Sequence, residues 1–130
     1  MRIECENMTE HEATPALIRE LFRTPEMRGE FMIMMHDEDE ERFVQIACDF
    51  DDVGGMDDGC FDLEYREGTG GRLYHCACRV THEEAEGIFL DELEGCCAWR
   101  SRYAWENVEG YDAPSSDKSS FLAKLISFFR

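Results

Sequence analysis

Basic side chains are scarce in this sequence. Thirteen lysines and arginines stand against thirty aspartates and glutamates, which gives a formal net charge of −17. Proteins that bind nucleic acids use basic residues to displace counterions from phosphates, and anionic lipid headgroups repel a field of this sign. The composition therefore argues against nucleic acid as a ligand and favours a basic protein partner. An acidic surface that only maintains solubility is the alternative.

Long apolar runs are also missing. No segment approaches the roughly eighteen apolar residues of a membrane-spanning helix, so we predict no membrane span. The opening residues, MRIECENMTEHEAT, contain acids and lack the apolar run of an export signal. Seven cysteines are an odd number, and cytoplasmic thiols stay reduced. We therefore expect a cytoplasmic protein with free thiols.

The motifs of common enzyme classes do not occur. The sequence has no Gly-x-Ser-x-Gly elbow, no phosphate-binding glycine loop and no His-Glu-x-x-His motif. Four histidines are scattered along the chain, and the carboxylates are too numerous to single out one acid–base pair. We predict no catalytic residue and a protein that is not an enzyme.

Potential metal ligands lack the spacing of known sites. Cys76 and Cys78 are one residue apart in a predicted strand, whereas structural zinc sites use pairs two to four residues apart. We expect both thiols to face the core, as free cysteines commonly do. The Asp/Gly-rich segment 49–58 resembles a calcium loop, but Val53 and Cys60 occupy positions where an EF-hand needs oxygen ligands. We predict no metal site and no cofactor, with weak cation binding by clustered carboxylates as the alternative.

Helix-start signals occur twice. Thr14 and Pro15 are the residue types that cap and begin a helix, which Pro25 should end. Thr81 and Glu84 have the spacing of a capping box, and Gly95 suits the residue after a helix end. The sequence therefore predicts helices at 15–23 and 82–94.

Other segments show strand periodicity. FMIMM at 31–35 is apolar on both faces and predicts a buried strand. In 61–66 apolar and charged residues alternate, which predicts one buried face and one face open to water. Further strands are predicted at 43–50, 74–80 and 103–108.

These elements predict one α+β domain at 1–110. We expect an antiparallel sheet of about five strands with two helices on one face. A linker is predicted at 111–120 and a short amphipathic helix at 121–130. From Pro114 onward one acid stands against three bases, a net charge of +2, which leaves −19 for the rest of the chain. This tail either docks on its own domain or contacts a partner, another subunit or a membrane surface.

Two sets of residues are candidates for partner binding. The first is aromatic: Trp99, Tyr103 and Trp105 flank two arginines, a composition typical of interface hot spots, although core packing is the alternative. The second consists of carboxylates on two predicted acidic loops: Asp37, Glu38, Asp39, Glu40, Glu41, Asp49, Asp51, Asp52, Asp57 and Asp58.

Somewhat over a third of the chain resembles a known family. The segment FDLEYREGTGGRLYH, a helix after Val-Thr-x-Glu-Glu, Trp99-Arg100 and Trp105-Glu106 carry the resemblance. This family comprises small uncharacterised bacterial proteins with a Leu-Glu-Tyr-x-x-Gly hairpin and a closing Trp-Glu. The chain is more loosely similar to the acidic immunity proteins that neutralise polymorphic toxins. The first resemblance implies a fold and no activity.

Four functions remain open from the sequence. An immunity-type inhibitor would insert its acidic loops into a cationic cleft of a toxin. A type III secretion-like chaperone would bind an unfolded effector segment on adaptable apolar surface, for which Met32, Met34 and Met35 are suited. A DNA mimic would use the same negative charge, and a metal-binding or enzymatic protein would use the cysteines. Oligomeric state is open.

Overall fold

A computed structural model describes residues 1–48 and 59–108. The linker and tail predicted at 111–120 and 121–130 lie outside the described residues. The same is true of the second-loop candidates Asp49, Asp51, Asp52, Asp57 and Asp58.

The described residues form one antiparallel sheet, as predicted, within a single small α+β domain. Its strand order is β2-β1-β3-β4-β5-β6-β8, and the short β7 pairs with the start of β5. The strands are β1 (Arg2–Cys5), β2 (Met8–Glu12), β3 (Phe31–Met35), β4 (Arg42–Ala47), β5 (Cys60–Glu67), β6 (Leu73–Cys76), β7 (Val80–Thr81) and β8 (Trp105–Asn107).

Three α-helices and one 3₁₀ turn connect these strands: α1 (Pro15–Arg23), α2 (Pro25–Arg28), α3 (His82–Leu93) and the 3₁₀ turn Ala98–Arg102. Both predicted caps are present. The Thr14 hydroxyl accepts from the Leu17 amide at 3.1 Å, and Thr81 and Glu84 exchange both bonds of a capping box.

The predicted count of about five strands is wrong, because the described residues contain eight. The sequence interpretation missed the β1–β2 hairpin, whose second strand is polar and exposed and so lacks an apolar stripe. The count of two helices also missed α2. Pro25 does end α1, but proline fits the first turn of a helix, and here it begins a new one.

The sheet has two faces with different coverings. On the first face, α1, α3 and Trp99 pack against strand residues such as Ile3, Met34 and Leu63 in one large core. On the second face a smaller cluster is formed by Phe31, Ile33, Phe43, Ala47 and Leu73, with Met35 and Val108 beside it.

The predicted water-facing side of β5 is wrong. Glu64 and Arg66 lie on the second face and are only 1% and 5% exposed. Because β5 is an inner strand between β4 and β6, its charged side chains stand among the apolar residues of its neighbours. Alternation alone does not reveal whether the second face is covered.

Candidate functional site

The predicted acidic turn, residues 37–41, joins β3 to β4. One end of it is bound to the N-terminus of the chain. The Met1 ammonium group donates to Asp37 Oδ2 at 2.7 Å, and Arg2 lies 3.4 Å from Asp37 and 2.8 Å from Glu40. The bond from the ammonium group is the main reason that the pKa of Asp37 lies below its ordinary value.

Asp39 binds the turn to the hairpin between β5 and β6. Its carboxylate accepts from the Thr69 amide and hydroxyl, both at 2.9 Å, and from the Glu41 amide at 3.0 Å. The bond from the Thr69 amide is the main cause of the lowered pKa of Asp39. Glu41 in turn pairs with Arg66. Gly68 has φ +124°, and a Cβ there would lie 2.9 Å from Asp39 Oδ2, so this approach requires glycine.

The acidic turn is therefore largely satisfied by its own chain. Asp37, Asp39, Glu40 and Glu41 all have intramolecular partners. Glu38 is the one carboxylate of the five that makes no hydrogen bond or ion pair within the described residues. That this turn contacts a partner stays a prediction. Four of its five carboxylates already bind the turn to the N-terminus and to the hairpin between β5 and β6.

A second group of carboxylates lies on the outer surface of α3. Glu83, Glu86, Asp91 and Glu94 are exposed or half-buried and make no ion pair within residues 1–48 and 59–108. Glu83 and Glu86 lie three residues apart on α3 and so on neighbouring positions of its surface, and Glu94 is the residue that follows the helix. The helix contains no lysine or arginine. The acidic positions are visible in the sequence, but the prediction of this helix depended only on its caps and its apolar stripe.

α3 also contains one buried acidic residue, Glu92, which has partners in its own chain. Glu92 is 3% exposed, lies 2.9 Å from His36 Nε2, and is 3.7 Å from Arg100. The Arg100 guanidinium lies 4.2 Å from the centre of the Tyr65 ring, a cation–π contact. Glu92 thus joins α3 to the end of β3 and to the 3₁₀ turn, while the outer carboxylates make no ion pair with the part of the chain that the structure describes.

The three candidate aromatic residues do not share one environment. Trp99 is fully buried and packs edge-on against Tyr65, so core packing accounts for it. Tyr103 and Trp105 are partly exposed. Tyr103 donates to Glu84 at 3.2 Å, and Trp105 Nε1 donates to the Arg100 carbonyl at 2.7 Å. Tyr103 is therefore held at the first turn of α3, and Trp105 is held by the 3₁₀ turn with its ring centre 6.1 Å from that of Tyr103.

A buried polar row crosses the second face of the sheet. Gln45 donates to Glu64 Oε1 at 2.9 Å, and His75 Nδ1 lies 3.1 Å from Glu64 Oε2. The three residues are direct cross-strand neighbours. The hydrogen bond to Glu64 is the main cause that raises the pKa of His75. The row resembles an acid–base pair, but no nucleophile accompanies it among its described contacts.

The cysteines occupy different depths. Cys5 and Cys76 are buried, and desolvation is the main cause that raises their pKa to about 12 and about 11. The prediction that Cys78 also faces the core is wrong, because β6 ends at Cys76 and Cys78 is exposed. In the described part of the chain no three His, Cys, Asp or Glu side chains are arranged to hold a metal ion.

Comparison with known proteins gave no match: no family model, no curated protein and no solved structure is significantly similar to this chain. The resemblance carried by the Leu-Glu-Tyr-x-x-Gly hairpin therefore stays a prediction. None of the helices in the described ranges is long and apolar enough to cross a membrane.

Proposed function

We propose that this chain is a non-catalytic protein that binds a basic protein partner, in the manner of immunity proteins that neutralise toxins. The observation that carries the proposal is the outer surface of α3. Four carboxylates stand there without a cation within the described residues; Glu83, Glu86 and Asp91 are on the helix, and Glu94 is its C-cap residue. Such a surface attracts a cationic partner and accelerates association.

The contrast with the acidic turn supports this choice of surface. A partner that binds Asp37 or Glu40 competes with the Met1 ammonium group and with Arg2. A partner that binds Glu83, Glu86 or Glu94 competes with no cation of the described residues. Breaking such an exposed pair costs little, which gives the α3 surface a small advantage per contact.

Tyr103 and Trp105 add an apolar element next to this surface. Tyrosine and tryptophan dominate the energetics of many interfaces because they bury large area with little loss of conformational freedom. Both rings are held by hydrogen bonds, and Tyr103 reaches Glu84 at the start of α3. We infer a contact surface in which these two rings anchor the partner and the α3 carboxylates orient it.

The methionines named for the chaperone alternative do not form an open surface. Met32 and Met34 are fully buried in the first core, and Met35 packs beside the second cluster. DNA mimicry has the same charge requirement as the proposed function and differs in the partner, which would be a DNA-binding protein. The partner captured in the experiment below separates the two.

The test compares two variants that remove equal charge. One carries Glu83→Gln, Glu86→Gln, Asp91→Asn and Glu94→Gln, and the other carries Glu12→Gln, Glu20→Gln, Glu26→Gln and Glu30→Gln, all on exposed positions elsewhere. The immobilised full-length chains are incubated with lysate of the native host, and retained proteins are identified by mass spectrometry at low and high salt.

We expect the unmodified chain and the second variant to retain a basic protein that the α3 variant loses. Salt should weaken the retention. Equal retention by both variants would place the contact elsewhere, and retention of no basic protein at all would contradict the proposed function.

A further inference from the structure

The second face of the sheet is buried, although no described helix packs on it. Phe43 and Leu73 are 2% and 0% exposed. The cluster to which they belong contains only strand residues and Val108. By contrast, every apolar residue that α1 and α3 bury belongs to the core of the first face. A sheet face of large apolar side chains reaches this burial only when another layer covers it.

The described chain leaves the sheet on this same face. Val108 follows β8, its amide donates to the Leu73 carbonyl at 3.0 Å, and its side chain packs against the second cluster. The residues after Val108 therefore start at the border of the covered surface.

The last ten residues have the composition that this surface requires. The sequence FLAKLISFFR contains six large apolar residues and two bases. On the second face, Glu4, Glu64 and Glu106 stand in one cross-strand row with Ile33 and His75. We propose that residues 121–130 of this chain dock intramolecularly on the second face of the sheet, with apolar side chains on the cluster around Phe43 and bases toward the row of carboxylates.

The connecting segment is long enough for this arrangement. Twelve residues separate Val108 from Phe121, and they span up to about 40 Å when extended. The distance across the sheet from β8 to β3 covers four strand spacings, which is about 19 Å. A ten-residue helix would be about 15 Å long and would cover about three strands.

The segment 49–58 is a poorer occupant. It contains five aspartates and only Phe50, Val53 and Met56 as large apolar residues. Placing its carboxylates against Phe31 and Glu64 would combine desolvation with like-charge repulsion. The occupant with opposite charge and greater apolar content is the tail.

Photo-crosslinking tests the docking in the full chain. Met35→p-benzoylphenylalanine places the probe at the edge of the second cluster, and Leu17→p-benzoylphenylalanine places a matched probe at the first face. An equal mixture of ¹⁵N-labelled and unlabelled chains distinguishes links within one chain from links between two. We expect the Met35 probe, and not the Leu17 probe, to link to residues 121–130 of the same chain. Links to a second copy, or only to residues outside 121–130, would overturn the proposal.

A pair of double variants provides an independent measurement. Leu125→Asp with Phe129→Asp should release the tail, which raises anilinonaphthalene sulfonate fluorescence several-fold and lowers Tm. Ser115→Asp with Ser116→Asp adds the same charge in the linker and should leave both readings unchanged. If the first variant does not fold, Leu125→Ala against Ser115→Ala gives the milder comparison. Equal dye binding and equal Tm in such a matched pair would contradict docking.

Discussion

The acidic turn at 37–41 and the outer surface of α3 contain similar numbers of carboxylates but use them differently. In the turn, Asp37, Asp39, Glu40 and Glu41 bind groups of their own chain. On α3, Glu83, Glu86, Asp91 and Glu94 have no ion pair within the described residues. A count of acids along the sequence ranks the two regions alike, whereas within residues 1–48 and 59–108 the carboxylates of the turn are mostly paired and those of α3 are not.

The strongest test of this comparison uses the two sides of α3. Glu92→Ala removes the buried acid that contacts His36 and Arg100. We expect it to lower the free energy of unfolding by about 2 kcal/mol, less than for a fully enclosed pair because Arg100 is partly exposed. Glu94→Ala, two residues later on the outer surface, should change it by less than about 0.5 kcal/mol. Urea denaturation followed by circular dichroism measures both, and equal losses would remove the distinction between the two sides.

Asp39→Ala should have the next largest effect. It removes the acceptor for the Thr69 amide and hydroxyl and for the Glu41 amide, so the urea midpoint should fall, whereas Glu38→Gln should leave it unchanged. The pKa of Asp39 is lowered in the folded protein. The stability that its carboxylate contributes is therefore present above its ordinary pKa of 3.8 and is lost as the pH falls through the lower folded value. The difference between Asp39→Ala and the unmodified chain should shrink in acid; a constant difference would mean that charge is not involved.

His75 predicts a pH dependence of opposite sign. Its pKa is raised above 6.5 in the folded protein by the bond to Glu64. The contribution to stability is complete below pH 6.5 and is lost as the pH rises through the raised value. The free energy of unfolding, measured from pH 5.5 to pH 8.5, should therefore decline more steeply in the unmodified chain than in His75→Gln. Identical slopes would show that the buried row does not titrate.

The smallest effect is expected from the fourfold variant of α3. Replacing its outer carboxylates with amides removes like-charge repulsion and no described partner, so the free energy of unfolding should stay within about 0.5 kcal/mol or rise slightly. Thermal unfolding is the measurement. A marked loss of stability would show that these carboxylates support the fold, which would contradict their assignment to a partner.

Sequence patterns predicted the elements whose signals are local. The caps at Thr14 and Thr81 depend on neighbours three residues away. The buried strand at 31–35 depends on the apolar composition of its own five residues. The burial of Glu64 could not be predicted in this way, because it depends on β4, β6 and the cover of the second face. The hairpin of β1 and β2 was missed for a related reason, since an exposed edge strand needs no apolar stripe.

The residues of the candidate site also divide into those that local sequence patterns indicate and those that depend on the fold. The sequence indicated that acidic side chains dominate the chain, but the pairing of Asp39 with Thr69 joins residues thirty positions apart. Only the fold brings the two turns together. Trp99 is a comparable case. The composition of its segment is typical of an interface, whereas its ring contacts with Tyr65 and Trp105 place it in the core.

The two ends of the sheet have a consequence for how this protein behaves in concentrated solution. Among the described strands β2 and β8 are terminal, and a terminal strand with free backbone groups can recruit a strand from another molecule. β8 has only three residues, and β2 presents Glu10 and Glu12 along an exposed edge. Short length at one end and charged side chains at the other disfavour the growth of a continuous sheet between molecules along these two described edges.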